Sequence, residues 1–299
     1  MHGFLNINKP AGMTSFDVIR RLKRRLATRA KMGHLGTLDP MATGVLPIAI
    51  GYATRLIPFI DKGRKQYRAG MLLGGISDTE DAWGQITLTG QTGFDPQRLR
   101  EAVADFTGAI EQVPPMYSAL HHQGKRLYEL ARQGEVVERP ARQVHIYKLS
   151  VISISEQQGQ PLITLEVVCS PGTYIRSLCR DIGGRLGTGA YLCELQRLQD
   201  GLFHIEKAVS LDRLTAADAN ISAMLLPMDY PLQHWPFYQL QSEEEEVLLR
   251  QGRSLPVTAG GEEPLVRVYE RSGRMAAVGR LQTGEPGLLL KPIKVFHPD

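Results

Sequence analysis

The chain has 299 residues, and its 35 lysines and arginines against 31 aspartates and glutamates give a formal net charge of +4. Its three cysteines, Cys169, Cys179 and Cys193, are too few and too widely spaced for a disulfide framework or a paired-cysteine metal site. No leader and no apolar run of roughly 18 residues is present, which predicts a soluble, cytoplasmic protein of about two domains.

The first predicted helix, at 14–28, is strongly basic. Thr14 and Asp17 match a capping box, which marks the start of a helix. The apolar residues at helical spacing are Phe16, Ile19, Leu22 and Leu26. Seven basic residues and no acid lie between positions 20 and 31. A second basic run consists of Lys62, Arg64, Lys65 and Arg68. Because solvated helix faces usually pair bases with acids, we expect both runs to contact phosphates.

Residues 33–47 are dense in glycine, threonine and proline, which predicts an irregular loop around Asp39. An aspartate before proline is most often a turn former. Here, however, small residues on both sides leave room for a bulky ligand, and His34 could reach the same cavity. The loop is therefore a candidate functional site.

The middle of the chain predicts an α+β fold. We expect strands at 67–73, 143–155 and 161–169. We expect helices at 97–110, 124–134 and 174–182. The acidic stretch 77–84 lacks the ligand spacing of a calcium loop and is interpreted as a structural turn. The prolines at 114 and 115 exclude regular structure between the first two helices.

The last part of the chain, from about 240, predicts a small β-rich domain. Ser242 and Glu245 form a second capping box, so the acidic run 243–246 is interpreted as a helix N-terminus favoured by its dipole. Three alternating apolar runs follow, at 265–269, 275–281 and 287–296.

Several common chemistries have no motif in this sequence. A phosphate-binding loop is missing, and the glycines at 183–190 follow a helix rather than the strand that a dinucleotide fingerprint needs. The adjacent His121 and His122 would point apart, and other clusters of metal-ligand type are missing. We therefore expect no cofactor and no metal.

Seven short motifs together carry a family resemblance. They are NKPAGMTS (8–15), GHLGTLDPMATGVLP (33–47), KQYR (65–68), SDTEDAWG (77–84), QVPPMYSAL (112–120), GTYIRSL (172–178) and LQRL (195–198). In order and separation they resemble those of bacterial tRNA pseudouridine-55 synthases of the TruB type.

The resemblance implies a fold and a function. The fold is the pseudouridine synthase fold over 1–238, an α+β fold whose central, mostly antiparallel mixed sheet is flanked by helices, followed by a PUA-like RNA-binding domain over 239–299. The implied activity is cofactor-free isomerisation of uridine 55 in the T-loop of tRNA. The T-arm of tRNA is the implied partner, with no obligate protein partner, no membrane and a monomeric enzyme. A segment near 112–142 is implied to be a mobile thumb that grips RNA.

The resemblance also assigns roles to six residues. The implied catalytic residues are Asp39 as nucleophile, Tyr67 as a stacking partner and candidate for proton transfer at C5, and Arg176 as the cation that keeps the carboxylate charged. The implied substrate-binding residues are His34, which contacts RNA where the uridine leaves its stack, Tyr174 beside the charged pair, and Leu195 in the apolar wall of the base pocket. Without the resemblance, Tyr67 and Tyr174 would be interpreted as core aromatics and Leu195 as a core residue of a helix.

Alternatives stay open at this point. Asp39 could attack C1′ or C6, or could deprotonate C2′. The protein could belong to the guide-RNA-dependent branch of the same superfamily, or act as a tRNA folding chaperone. A nucleosidase would require a second carboxylate, which is not evident in the sequence.

Overall fold

The computed structural model describes residues 1–257, 263–284 and 287–296, and within these ranges it contains a large mixed sheet and a second, smaller sheet. In the same ranges no helix is long and apolar enough to cross a membrane.

The large sheet is mixed and mostly antiparallel. In chain order, the strands of this sheet and of two small hairpins are β1 (Gly3–Lys9), β2 (Met32–His34), β3 (Thr43–Ile50), β4 (Lys65–Leu73), β5 (Gly75–Ser77), β6 (Ile86–Leu88), β7 (Gly108–Gln112), β8 (His121–His122), β9 (Lys125–Arg126), β10 (Arg142–Gln157), β11 (Gln160–Cys169), β12 (Ala190–Asp200), β13 (Phe203–His204) and β14 (Val209–Ser210). The spatial order is β14-β1-β3-β12-β4-β11-β10-β7, with β2 on β3 and β13 on β12. The β1–β14 and β3–β12 pairs are parallel, and the other neighbours are antiparallel. Strand β12 therefore inserts between β3 and β4, although it comes more than 100 residues later in the chain.

Helices cover one face of this sheet. They are α1 (Ser15–Leu26), α2 (Pro96–Asp105), α4 (Ile175–Leu186), α5 (Leu211–Thr215) and α6 (Ile221–Met224), and a further helix, α3 (Leu127–Arg132), follows the β8–β9 hairpin in the chain. The capping box of Thr14 and Asp17 is present at the start of α1, as predicted. Phe16, expected on the apolar face of α1, is 62% exposed. That expectation is wrong because Val18, Ile19 and Leu22 form the buried stripe, and the helical period places Phe16 outside it.

Alternate residues of β1 and β3 face two different cores. Leu5 and Leu46 belong to the core between the sheet and the helices, whereas Phe4 and Val45 face the second sheet. Because both faces are buried, β3 reads as a continuous apolar run. The expected loop at 33–47 is therefore irregular only over 35–42, and its two ends are β2 and β3.

The second sheet is the β-rich domain predicted for the C-terminal part. Its strands are β15 (Phe237–Gln239), β16 (Leu255–Pro256), β17 (Glu263–Tyr269), β18 (Met275–Gly284) and β19 (Gly287–Val295), in the order β15-β17-β18-β19-β16. The predicted helix is α7 (Glu243–Arg250), and the Ser242 hydroxyl accepts a hydrogen bond from the Glu245 amide. Residues 258–262, 285–286 and 297–299 of the predicted domain lie outside the described residues.

Two predicted helices have different bounds in the structure. The helix expected at 97–110 ends at residue 105, and 108–112 instead forms β7, which pairs with the start of β10. Gly108 at its first position has a φ of +101°, which a helix cannot accommodate. The helix expected at 124–134 begins only at residue 127, after the β8–β9 hairpin. In both places pairing with a distant or neighbouring strand overrides local helix propensity.

Candidate active site

Asp39 lies in the irregular loop 35–42, which contacts from α1 hold in place. The Ser15 hydroxyl accepts a hydrogen bond from the Leu38 amide at 2.9 Å and donates one to the Leu38 carbonyl at 3.2 Å. After the aspartate, the Ala42 amide donates to the Asp39 carbonyl at 3.1 Å. The carboxylate therefore stands on a turn whose main chain is bonded on both sides.

Arg176, in the first turn of α4, faces Asp39. Its Nε lies 2.9 Å from Oδ2 of Asp39, and its Nη2 donates to Oδ1 at 3.2 Å. The arginine side chain is 4% exposed, whereas 33% of the Asp39 side chain is exposed. The cation is thus enclosed by protein while part of the carboxylate stays open to a ligand.

Opposing effects act on the Asp39 carboxyl. Burial raises the pKa of Asp39 above its ordinary value, and the neighbouring Asp81 raises it further. Arg176 and Lys9 lower the pKa. The two cations therefore favour the charged form of a carboxyl that burial and Asp81 favour as neutral.

A second carboxylate supports Arg176 from the side away from the Asp39 pair. Oδ2 of Asp81 lies 3.5 Å from Nη1 of Arg176, and the Thr79 carbonyl accepts from the same nitrogen at 3.1 Å. Asp81 is itself held by the Thr79 hydroxyl at 2.7 Å and the Trp83 amide at 3.0 Å. The stretch 77–84 is a turn, as interpreted from the sequence, and its role in orienting the arginine was missed. The available signal was a pair of neighbouring acids, Glu80 and Asp81, that are both buried and so require cationic partners.

The segment that begins the predicted thumb also reaches the site. The Tyr117 carbonyl accepts a hydrogen bond from Nη2 of Arg176 at 2.9 Å. Tyr174 lies directly before α4. Its main-chain amide donates to Oε1 of Gln112 at 2.8 Å, and its carbonyl accepts from Nε2 of Gln112 at 3.0 Å. Burial raises the pKa of Tyr174, so its phenol stays protonated. These contacts link both ends of residues 112–117 to the residues that carry Arg176.

Lys9 is a buried cation next to the loop. Its Nζ donates to the carbonyls of Pro10, Met13 and Pro40 at 2.9, 2.6 and 3.2 Å. Burial lowers the pKa of Lys9 to about 8, and the charge of Asp39 partly opposes this shift. Although NKPAGMTS was recognised as a motif, a lone lysine in it gave no signal that it would face Asp39.

Tyr67 and Leu195 lie on adjacent strands. Tyr67, in β4, is 6% exposed, and burial raises its pKa, so the phenol is protonated. Leu195 belongs to β12 rather than to a helix, is 8% exposed, and pairs with Ala69. The hydroxyl of Thr43, three residues after the loop's Pro40, donates to the Leu195 carbonyl at 3.4 Å.

His34 ends β2 at the start of the loop. Burial and the charge of Arg197 lower its pKa, which favours the neutral imidazole. Its Nδ1 is buried without a hydrogen-bond partner in the described part of the chain. The structure thus places Asp39 and Arg176 in direct contact and the four other candidates on the elements around the loop.

The two basic runs differ from expectation in part. Arg21 pairs with Asp212 at 2.8 Å, and Arg25 donates to the Ala216 carbonyl at 2.8 Å, so both bind within the protein. Lys65 is buried and pairs with Asp200 at 2.8 Å, so the expectation that it contacts phosphate is wrong. Lys23, Arg24, Arg64 and Arg68 remain exposed.

Comparisons with known proteins agree with this architecture. Residues 23–175 match the model of the TruB family pseudouridylate synthase N-terminal domain, and residues 176–233 match the tRNA pseudouridylate synthase B C-terminal domain. The tRNA pseudouridine synthase B of Syntrophomonas wolfei is 50% identical over 296 residues, 99% of each chain. That of Geobacter sulfurreducens is 44% identical over 253 residues, 84% of this chain and 82% of the relative.

Solved structures confirm the predicted fold. A Cbf5-Nop10-Gar1 complex contains a chain with a TM-score of 0.69 and 27% identity, over 99% of this chain and 85% of that one. An H/ACA RNP bound to a substrate RNA containing 2′-deoxyuridine gives a TM-score of 0.70 at 24% identity, over 99% of this chain and 85% of that one, a likeness of fold alone.

Proposed function

Because the chain belongs to the TruB family of pseudouridylate synthases and is an enzyme that forms pseudouridine in tRNA, we propose that its target is uridine 55 in the T-loop, with Asp39 as the catalytic carboxylate. One observation carries the catalytic part: a buried guanidinium pairs with the carboxylate of Asp39, whose side chain is 33% exposed.

The geometry suits a reaction in which one carboxylate acts on a ribose or base atom. Forming pseudouridine breaks the bond between N1 and C1′ and joins C1′ to C5 of the same uracil, while C5 loses its proton and N1 gains one. A uridine can present these atoms only after it leaves its stack, which costs a few kcal/mol. We propose that Tyr67 and Leu195, on adjacent strands beside the loop, receive the extruded base. An aromatic face stacking on a base contributes about 1–3 kcal/mol, which offsets much of that cost.

The raised pKa of Asp39 is useful for this role. A carboxylate with a higher pKa is a stronger nucleophile and base, provided that it stays ionised at the working pH. Arg176 supplies the charge that favours its ionised form. The Asp39 carboxylate is the group that would attack C1′, attack C6 or remove the C2′ proton. The arrangement therefore serves each of the three routes.

The second nearby carboxylate does not fit hydrolysis. A glycosidase places two carboxyl groups on either side of the bond that it cleaves. Asp81 instead lies against Arg176, with 9% of its side chain exposed and its Oδ1 occupied by Thr79 and Trp83. We therefore propose isomerisation without release of free uracil.

The proposed RNA-binding surface combines three parts of the chain. Lys23 and Arg24 are exposed on α1, whose Ser15 holds the Asp39 loop. Residues 112–142 begin at the site and carry exposed bases on the β8–β9 hairpin. The C-terminal β-rich domain is the third, as a PUA-like module over 239–299 that follows a catalytic domain over 1–238. Mobility of the thumb, a monomeric state and a cytoplasmic location stay predictions.

A direct assay tests the proposal. The purified protein is incubated with an unmodified tRNA transcript without cofactor or guide RNA, and pseudouridine is mapped by carbodiimide-dependent primer extension. We expect one new stop that reports position 55, none with the Asp39→Asn variant, and none with a transcript carrying cytidine at position 55. A stop at another uridine would refute the proposed target.

The same assay separates the alternatives. A requirement for added guide RNA would favour the guide-dependent branch. Tight tRNA binding without any product would favour a folding chaperone.

A further inference from the structure

Three charged side chains are buried together behind the Asp39 loop. Lys65 Nζ lies 2.8 Å from Oδ1 of Asp200, and Nη2 of Arg197 lies 3.2 Å from Oδ2 of the same carboxylate. Their side chains are 10%, 1% and 6% exposed for Lys65, Arg197 and Asp200. We call this cluster the Arg197 triad. Burying three charges is costly, and removing one partner of such a cluster leaves the others uncompensated.

Arg197 joins the two sides of the Asp39 loop. Its Nη2 donates to the Gly36 carbonyl at 3.0 Å and its Nη1 to the Thr37 carbonyl at 3.4 Å, both before Asp39. Its Nε donates to the Val45 carbonyl at 2.7 Å, after the loop. The planar fork of a guanidinium can make these three bonds at once, and a lysine ammonium cannot reproduce that geometry.

The same residue adjoins Tyr67. Arg197 in β12 pairs directly with Tyr67 in β4, and it pairs with Gly44 of β3 on its other side. Its charge and a hydrogen bond to the phenol oppose the effect of burial on the pKa of Tyr67. One side chain therefore contacts both Tyr67, the candidate stacking residue, and the loop that carries Asp39.

The backbone packs so closely here that two glycines are required. A Cβ on Gly44, whose φ is +100°, would lie 2.2 Å from the Arg197 carbonyl oxygen. A Cβ on Gly36 would lie 2.8 Å from Nζ of Lys65 and 3.0 Å from Oδ2 of Asp200. The loop thus rests directly on the triad, with no layer of side chains between them.

We propose that Arg197 is a positioning residue of the isomerisation, and that Asp200 between Lys65 and Arg197 holds the guanidinium in the orientation that places the Asp39 loop for reaction with the target base. The inference rests on the proposed function, since it concerns the same site. Asp200 is the only carboxylate that contacts both cations in the described residues, so without its charge Lys65 and Arg197 repel each other. Arg197 bonds to main-chain carbonyls on both sides of Asp39 rather than to the Asp39 carboxylate, so it acts on the reaction through the loop.

The test compares the rate of the chemical step with tRNA affinity. Asp200→Asn keeps the shape of the side chain and removes its charge. We expect its single-turnover rate of pseudouridine formation to fall by about thirtyfold, the size of a lost charged hydrogen bond, with the Kd for tRNA within about threefold of wild type. Arg197→Lys should lose more, about a hundredfold, because it gives up the fork. Asp212→Asn, at a side chain that is 85% exposed, is the matched control and should leave the rate unchanged.

A double variant distinguishes positioning from general damage. Lys65→Met combined with Asp200→Asn removes the repulsion between the cations and leaves Arg197 with its three carbonyls. Its rate should be about fivefold above that of Asp200→Asn alone, because the second substitution removes the repulsion that the first one creates. The effects of two substitutions at interacting charges are not additive. Thermal unfolding of each variant reports its folding separately.

An Asp200→Asn enzyme as fast as wild type would overturn the inference, and so would a folded double variant no faster than Asp200→Asn. A fall in tRNA affinity equal to the fall in rate would also overturn it, since positioning acts on the chemical step. Failure of the proposed function would look different, because wild-type enzyme would then form no pseudouridine at position 55.

Discussion

Replacing Arg176 by lysine keeps a positive charge near Asp39 and removes the fork. The arginine contacts both Asp39 oxygens at 2.9 and 3.2 Å, two carbonyls at 3.1 and 2.9 Å, and Asp81 at 3.5 Å. A single ammonium on a shorter stem forfeits at least two of these contacts. Charged hydrogen bonds contribute about 1.5–3 kcal/mol each, so about 3–6 kcal/mol is lost. If half of that is expressed in the transition state, about 1.5–3 kcal/mol, the rate of single-turnover isomerisation falls by about 10-fold to 150-fold.

The pH dependence of Arg176→Lys gives a sharper test than the rate alone. Arg176 lowers the pKa of Asp39, which burial raises. Weakening the pair raises that pKa further, and the reaction requires the ionised carboxylate. Activity of the wild type should therefore be lost as pH falls through the raised pKa of Asp39, and the variant should lose activity at a higher pH. The deficit of the variant should accordingly shrink as pH rises.

The assay is release of tritium from tRNA labelled at C5 of uridine, in single turnover from pH 5.5 to 9. Arg185→Lys, at an exposed position of the same helix α4 where Arg185 pairs with Asp105 at 3.0 Å, is the control and should follow the wild-type profile. If the profile of Arg176→Lys ran parallel to that of the wild type with an unchanged midpoint, Arg176 would not govern the ionisation of Asp39.

Three further predictions concern Asp39, the exposed basic residues of α1, and Lys9. Asp39→Asn should abolish isomerisation while the Kd for tRNA stays within about tenfold by filter binding, since affinity rests on phosphate contacts and stacking; measurable turnover would remove Asp39 from its role. The double variant Lys23→Ala, Arg24→Ala should make the negative slope of log K for tRNA binding against log salt shallower by about 1.8. Arg25→Ala should instead lower the melting temperature, because Arg25 binds the Ala216 and Ala217 carbonyls. An unchanged slope for the double variant would place that face of α1 away from RNA. Because the pKa of Lys9 is lowered to about 8, the folded protein loses this proton at a lower pH than the unfolded chain does. The wild type should therefore gain stability relative to Lys9→Met as pH rises above 8. If the free energies of unfolding of the two proteins changed in parallel between pH 7 and 10, this prediction would be contradicted.

Short sequence patterns predicted helices and strands correctly where the local structure depends on residues nearby in the chain. The capping residues Thr14 and Ser242 marked the starts of α1 and α7, and alternation marked β10 and β11. They failed where a distant partner decides, as at Gly108, where pairing with β10 makes a strand of a predicted helix end. Leu195 is a further case, because β12 becomes a strand only by inserting between β3 and β4.

The candidate site was predictable as a set of motifs and not as a set of contacts. Asp39 and Arg176 are 137 residues apart in the chain, and their pairing came from the family resemblance rather than from any local pattern. Asp81, Lys9 and Arg197 lay within recognised motifs, yet nothing in the sequence said which atoms they would meet. Their roles depend on where α4 and β12 pack, which is a property of the tertiary structure.

Two arginines constrain the Asp39 loop in different ways. Arg176 binds the carboxylate itself and joins it to the segments at 77–84 and 113–120 through Thr79 and Tyr117. Arg197 binds main-chain carbonyls of the loop and of β3, from the position in β12 that pairs with Tyr67. We therefore propose that one cation governs the charge of Asp39 and that the other governs where Asp39 stands. Because the two functions reside on different residues, variants of Arg176 should move the pH profile, while variants of the Arg197 triad should lower the rate at every pH.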